Sequence, residues 1–416
     1  MTESAVSVVV ISRERPEHLR RCLTSLSFQT YRNFEVVVVA DDAGLAALSG
    51  HTPAKNARLV RNNTVGVGGA RNLGLEQACG DVVAFLDDDA VAEPTWLAGL
   101  AEPFRDPSVV AATGTVIGRN GISPQWSMRG VDTFGRQTPH SAEQAVMLEG
   151  TNMAIRRRAL CELGGFDSHF VFGFDDTDLS MRLFVSELRV VFAPKALVHH
   201  CTAASYRRGR DKRPLNVAEF GASAANFFAL HAGSQAEKAL DAFKNRQHRW
   251  LQGLLVKGSL EPRDLLRLEG ELLRLEVPEI DKKPRRIAAF GEKTASFQLF
   301  PVARDENPSP VFLSCRPGAF AQTNQKAEEL AGKGHAVSLI CLSYTTRPHR
   351  HTMSDAGVWI QKGGIYGKSI RTQPRFQLCA FDTRVEKELT RIATTKGFDE
   401  TSDKSPIVFQ RISDAA

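Results

Sequence analysis

Residues 82–89 read VVAFLDDD, a short apolar run that stops abruptly in three carboxylates, and no other stretch narrows the choice of fold so far. The run is β-branched and aromatic, with Gly80 before it and Pro94 soon after, which predicts a buried strand rather than a helix. Strands buried on both faces belong to parallel α/β sheets, which bind ligands at the carboxyl ends of their strands. Three like charges on one short loop repel each other unless a divalent cation or another cationic group lies nearby. Asp87 and Asp89 are spaced to point at one hard cation such as Mg2+ or Mn2+. A solvated acidic turn explains a lone pair of this kind at least as well, so the weight falls on what surrounds it.

The surroundings repeat one pattern. Residues 6–12 (VSVVVIS) predict a strand, and Pro16 opens a helix to about residue 29, with Leu19, Leu23 and Leu26 on one face. Residues 34–40 (FEVVVVA) predict a second strand, which ends in Asp41 and Asp42. A short strand is expected at 58–60, and a helix near 71–78 after the glycine-rich 66–69. This alternation, closing on the Asp triplet, indicates a doubly wound, mainly parallel sheet. From 109 to 150 the pattern weakens, with strand candidates at 109–118 and 145–150. A helix at 156–163 and a strand at 189–193 follow. Leu251, Leu254, Leu255, Leu265, Leu268 and Leu272 recur at helical spacing, so residues 214–280 are expected to be a helical extension. Residues 281–308, basic and proline-bearing, read as a linker. Residues 309–416 read as a small α/β unit that opens on VFLSC, a helix near 321–333 and HAVSLICLS.

Composition bounds the partners. The chain has 416 residues, 42% hydrophobic and 24% charged, enough for two or three packed domains. A net charge of +6 and a pI near 9.0 suit nucleotide phosphates or anionic lipid headgroups. Nucleic acid is set aside, because the charge is modest and no interleaved aromatic–basic motif occurs. No apolar stretch reaches the roughly 18 residues of a membrane span, and MTESAVSVVV lacks the basic segment of a signal peptide. The expectation is a cytoplasmic protein able to lie against the inner face of a membrane. Seven scattered cysteines without a CxxC argue against a disulfide framework or structural zinc.

Each polar cluster has a chemical and a plain structural explanation. Asp41 and Asp42 can accept from a nucleobase N–H or a ribose hydroxyl, or cap a helix. Arg71 can reach a diphosphate, or be a surface arginine. Asp175, Asp176 and Asp178 can supply a general base beside a metal and phosphate site, or form an acidic helix start. His199 and His200 can complete a metal site with Asp89, or be a structural pair. Arg207, Arg208, Arg210, Lys212 and Arg213 suit a loop over phosphates, or a solvated face.

Taken in order, three segments resemble the family 2 glycosyltransferases of GT-A fold over roughly residues 5–205. They are VSVVVISRERPEHLRRCLTSLSFQTYRNFEVVVVADDAG, VGVGGARNLGLEQACGDVVAFLDDDAVAEPTWL and EGTNMAIRRRALCELGGFDSHFVFGFDDTDLSMRL. The resemblance implies a GT-A domain at 1–213 that inverts configuration while moving a sugar from a nucleotide-diphosphate sugar to a glycan or lipid-linked acceptor. It implies that Asp41, with Asp42 beside it, holds the nucleotide base. Asp87 and Asp89 would hold Mn2+ or Mg2+ against the diphosphate, with Arg71 and Asp88 also on the donor. The family's base carboxylate falls on Asp176 of the Asp175–Asp176 pair, and its metal-binding histidine on His199, with His200 a close rival. There are departures: DDGS reads DDAG, and the usual Glu of the pair is Asp175. Residues 310–343 also resemble, faintly, the opening strand–helix–strand of a GT-B glycosyltransferase, read here as a packing or partner-binding module.

Other readings stay open. DDDAV at 87–91 fits the first motif of a haloacid-dehalogenase-type phosphatase, with Asp87 as nucleophile. A sugar nucleotidyltransferase would use the same sheet and release pyrophosphate. An inactive sugar-nucleotide-binding scaffold would keep the residues and lose the reaction. An oligomer is compatible with each of these.

Overall fold

The computed structural model describes residues 3–118, 120–209, 211–279, 290, 295–302, 310–397 and the strand at 408–411. The first element is β1 (Val6–Ser12), followed by α1 (Pro16–Leu26), β2 (Phe34–Ala40), α2 (Asp42–Ala47), β3 (Arg58–Arg61) and α3 (Gly66–Gln77). Then come β4 (Val82–Asp87), β5 (Ala90–Ala92), α4 (Trp96–Ala101) and β6 (Val109–Ile117). Short strands β7 (Pro124–Trp126), β8 (Arg129–Val131), β9 (Gln137–Pro139) and β10 (Ala145–Val146) lead to β11 (Met153–Arg156) and α5 (Arg157–Glu162). The unit closes with α6 (Asp175–Val185) and β12 (Arg189–His200).

Nine of these strands form one sheet in the order β3-β2-β1-β4-β11-β6-β12-β5, with β7 attached to β6, and the other three form a small sheet in the order β10-β8-β9. β1, β2, β3 and β4 run parallel, as do β6 and β12, while β11 is antiparallel to both its neighbours. The continuous apolar runs in β1, β2 and β4 bury both faces, which is what a parallel sheet between two helical layers requires. One face packs α1 and α4 over Val8, Val38, Ala84 and Val198. The other packs α3 and α6 over Val9, Val39, Phe85 and Met153. The chain passes from β1 outward to β2 and β3, then returns to the other side of β1 with β4. The carboxyl ends of β1 and β4 therefore flank a topological switch point, the place where open α/β sheets leave a crevice.

β12 is longer than the sequence suggests. It continues past Pro194 to His200 because three residues loop out: Ala193 pairs with Gly114 and Leu197 with Thr115. Asn152 secures the irregularity, its amide donating to the carbonyls of Thr115 and Ala196 at 3.0 Å each.

The expected helical extension forms α7 (Ala218–His231), α8 (Ala236–Val256) and α9 (Pro262–Leu273), which share an apolar core with Phe174. Of the expected linker, residues 290 and 295–302 are described, and they pack rather than hang free. Phe300 lies 5.5 Å from the Phe34 ring, and its N–H donates to the Phe34 carbonyl at 2.9 Å. The C-terminal unit has β13 (Val311–Cys315), α10 (Phe320–Gly332), β14 (Val337–Ser343), β15 (Arg350–Met353), β16 (Trp359–Gly364), α11 (Phe381–Ala393) and β17 (Val408–Arg411). Its sheet order is β15-β16-β14-β13-β17, parallel except for β15.

α3, which carries Arg71, lies close on β1 because Gly74 has no side chain. A Cβ there would sit 2.3 Å from Cγ1 of Val9. Gly74→Ala is therefore expected to destabilise the protein by about 1–3 kcal/mol despite alanine's better helix propensity. Urea unfolding measures it, and Val9→Ala should restore part of the loss.

Candidate active site

The Asp triplet at the end of β4 meets the loop after β1. Ser12 Oγ donates to Asp88 at 2.7 Å, and one Arg15 nitrogen lies 3.0 Å from Asp88 and 2.9 Å from Asp89. Glu14 adopts φ 57°, a left-handed conformation uncommon outside glycine. Its N–H donates to Asp41 Oδ2 at 2.7 Å, which fixes the bend that presents Arg15. Arg15 is thus one of the cationic groups the triplet requires, and sequence reading missed it because the short mixed-charge stretch SRERPE carries no pattern. Burial still pushes Asp88 up to about 7, against the pull of Arg15. Burial also works against Asp89, but its hydrogen bond to His200 and the charges of His200 and Arg15 outweigh it and hold Asp89 well below the usual carboxylate range.

A second acidic cluster faces the first. Gly173 and Phe174 both have positive φ, 74° and 65°. The Phe174 ring is held 5.3 Å from those of Phe220 and Phe227, and this turn starts α6 at Asp175. Asp175 is buried and paired with Arg71, whose other nitrogen lies 3.4 Å from Asp87. Arg71 is therefore not a surface residue: it is buried, and it ties the two clusters together. Asp176 lines the cavity. Its oxygens accept from the N–H of Gly150 at 3.0 Å and of Thr177 at 2.8 Å. Burial, with Asp175 adding to it, raises Asp176 to about 6. Glu149 stands opposite, another residue the sequence did not single out. Burial and then Asp176 raise it well above a normal glutamate.

His200, not His199, reaches the Asp triplet. Successive strand residues point to opposite faces. His200 Nε2 lies 3.1 Å from Asp89 Oδ1, while His199 turns away to meet Glu93 at 2.8 Å. The choice of His199 from sequence is corrected accordingly. Burial would lower His200, but its bond to Asp89 raises it overall. Asp87, Asp89 and His200 offer two carboxylate oxygens and an imidazole nitrogen, all within 4.8 Å of one another. That donor set fits a divalent ion such as Mn2+ or Mg2+.

The remaining residues are placed as follows. Asp41 caps α2, accepting from Gly44 N–H at 2.9 Å, and Asp42 is exposed and paired with Arg61. Neither is among the cavity-lining residues, although Arg13, Asn62 and Thr64 beside them are. Arg207 and Arg208 line the cavity. Arg207 is stacked 4.2 Å from the Phe172 ring and paired with Glu219 at 2.5 Å. Arg213 pairs instead with Asp211 and Asp264, and Arg210 lies outside the described residues. Gln125, Trp126, Gly135 and Gln137, from a stretch without any legible motif, form another wall. The whole cavity measures about 800 Å3, ample for a substrate of drug size.

Residues 7–164 match the model of the glycosyl transferase family 2, and this part of the chain is a domain of that family. The chain is 30% identical over 223 residues to the O-antigen biosynthesis protein RfbC of Myxococcus xanthus, covering 48% of this chain and 17% of that protein. It is 30% identical over 190 residues to the glucosyl-dolichyl phosphate glucuronosyltransferase of Haloferax volcanii, covering 39% and 56%. The chain thus spans less than two thirds of either relative. Among solved structures, S. aureus TarS 1-349 in complex with UDP-GlcNAc is similar at 20% identity and a TM-score of 0.44, covering 66% of this chain and 81% of TarS. At that score the likeness adds nothing to the family match.

Two stability effects follow from the buried charges. Arg71→Ala leaves Asp175 buried without its partner and is expected to cost about 3–5 kcal/mol in urea unfolding at neutral pH. Glu149 acts in the other direction. Its folded value is raised, so below about pH 4.5 both states hold the proton, and as pH rises the unfolded chain releases it first. Stability is lost over that rise. Glu149→Gln is therefore expected to be nearly neutral at about pH 4 and stabilising at about pH 8, as read by unfolding at the two values.

Proposed function

We propose that this chain transfers a sugar from a nucleoside-diphosphate sugar to an acceptor hydroxyl in glycan synthesis, inverting the anomeric carbon. The observation that carries the reading is the meeting, in one cavity, of the Asp87–Asp89–His200 group with the half-buried carboxylate of Asp176. The domain of that activity is taken as residues 1–213, with the helical layer packed behind Phe174.

Asp87, Asp89 and His200 would hold Mn2+ or Mg2+, which when bound neutralises charge on the leaving diphosphate. Arg207 and Arg208 reach over the same space and suit the phosphates. The nucleoside end is assigned to the side bounded by Arg13, Asn62 and Thr64, next to Asp41 and Asp42. Asp176 takes the proton from the attacking hydroxyl. A value near 6 leaves it ionised at neutral pH yet basic enough for the task. Asp175 is already neutralised by Arg71, which leaves Asp176 as the carboxylate open to a substrate. The chemistry named in the two relatives, O-antigen and dolichyl phosphate glycans, supports a glycan or lipid-linked acceptor. No helix among the described residues is long and apolar enough to cross a membrane. Exposed Trp250, Val256, Leu266 and Leu273 on α8 and α9 support a peripheral contact with a lipid surface.

Three measurements test this. A panel of nucleoside diphosphates and sugar nucleotides, with and without Mn2+, should give Mn2+-dependent thermal stabilisation by one base. No response to any of them would favour the phosphatase or scaffold readings. Asp176→Asn should keep that stabilisation and lose transfer by about 10^2–10^4-fold. Normal turnover would remove Asp176 as the base. Co-sedimentation with anionic vesicles should retain the protein, and loss of binding on Trp250→Ser would locate the contact.

A further inference from the structure

Behind Asp89 and His200 the sheet is covered by the C-terminal unit, and a buried ion pair lies within that contact. Lys396, just after α11, places Nζ 2.6 Å from Glu93 Oε2 and 3.2 Å above the centroid of the Trp359 ring. The other oxygen of Glu93 lies 2.8 Å from His199 Nε2, and the His199 ring stands 5.2 Å from Trp359. Glu93, His199, Trp359 and Lys396 are all buried. The N–H and hydroxyl of Thr95 both donate to the Thr395 carbonyl, at 3.3 and 3.0 Å. Phe28, Val91, Met353 and Trp359 complete an apolar patch across the junction.

This cluster sits on the two strands that carry the site. Glu93 directly follows β5, and β5 starts one residue after Asp89. β5 pairs with the end of β12, Val91 opposite His199 and Ala90 opposite His200. The Asp89 carbonyl accepts from Cys201 N–H at 2.8 Å. A displacement of Glu93 or His199 is therefore passed along one short ladder to Asp89 and His200. A buried charged pair is a costly way to join two units unless its geometry is needed, since apolar side chains of similar volume often serve stability as well.

We propose that the C-terminal unit completes the site of the transferase domain: Lys396 is a positioning residue that, through Glu93 and His199, holds the β5–β12 pair in the register that brings Asp89 and His200 together. The unit read from sequence as a packing module then has a task in the reaction. The metal-affinity part of this inference rests on the function proposed above. The register part does not.

The test uses the full chain and three variants, Lys396→Met, Lys396→Arg and the double variant Glu93→Gln/Lys396→Met. The double variant leaves no unpaired charge and carries the test if Lys396→Met alone does not fold. Hydrogen exchange is followed in metal-free protein for residues 90–93 and 197–201, with 6–12 and 34–40 as reference strands. Mn2+ affinity is measured by titration with the metal alone. The expected result is faster exchange confined to the first two segments and Mn2+ binding weakened by about tenfold, the lower end of what loss of an outer support costs a metal site. Lys396→Arg should retain most of both. Folded variants with unchanged exchange and unchanged Mn2+ affinity would overturn the proposal. If the wild-type chain binds no Mn2+, the metal reading falls, and exchange alone decides the role of Lys396: acceleration supports it and unchanged rates overturn it.

Discussion

The structure is organised around a surplus of carboxylates at one end of one sheet. Asp87, Asp88, Asp89, Asp175, Asp176 and Glu149 converge on a single cavity, most of them buried. Burial and mutual repulsion both disfavour so many charges. The chain answers with two fixed cations, Arg15 against Asp88 and Asp89 and Arg71 between Asp87 and Asp175, and sets the His200 imidazole against Asp89. What remains is divided by environment. Asp89 is held ionised, while Asp176 and Glu149 are pushed towards neutrality. Pairs of acids driven apart in this way are how one fold separates a cation-binding carboxylate from a proton-accepting one.

The same demand explains the local backbone. Glu14 and Phe174 both take left-handed conformations, and each immediately precedes a charged residue of the cavity. Arg15 and Asp175 are delivered by these bends, and the strain at each is compensated, by the Asp41 carboxylate in one case and by a cluster of phenylalanines in the other. Asp41 thereby acts on the cavity at one remove, by shaping the loop that lines it.

The sheet was legible because its strands are nearly unbroken apolar runs whose ends are marked by acids: VSVVVIS, FEVVVVA and VVAFLDDD each became a strand within a residue of where the pattern placed it. Asp87, Asp89 and Asp176 were legible for the same reason, since acids after apolar strands or at a helix start stand out. Arg15, Glu149 and Lys396 were not. Each is a charged residue outside any motif whose partner lies far away in sequence, and only folding brings the two together: Arg15 to Asp88, Glu149 to Asp176, Lys396 to Glu93. The walls at 125–137 were hidden because their strands are three residues long and leave no period to read. The packing of residues 295–302 was hidden because ASFQLFPV is short and broken by Pro301, and so shows no period.

The irregularity in β12 has one more consequence. Three residues, 194–196, are spliced out of the ladder, an odd number, so the alternation of faces is inverted across it. Along an uninterrupted strand Ala193 and His199 would share a face. With the splice, Ala193 shares its face with Val198 and His200 instead. Parity alone therefore decides which of two adjacent imidazoles belongs to the cavity and which to the junction with the C-terminal unit.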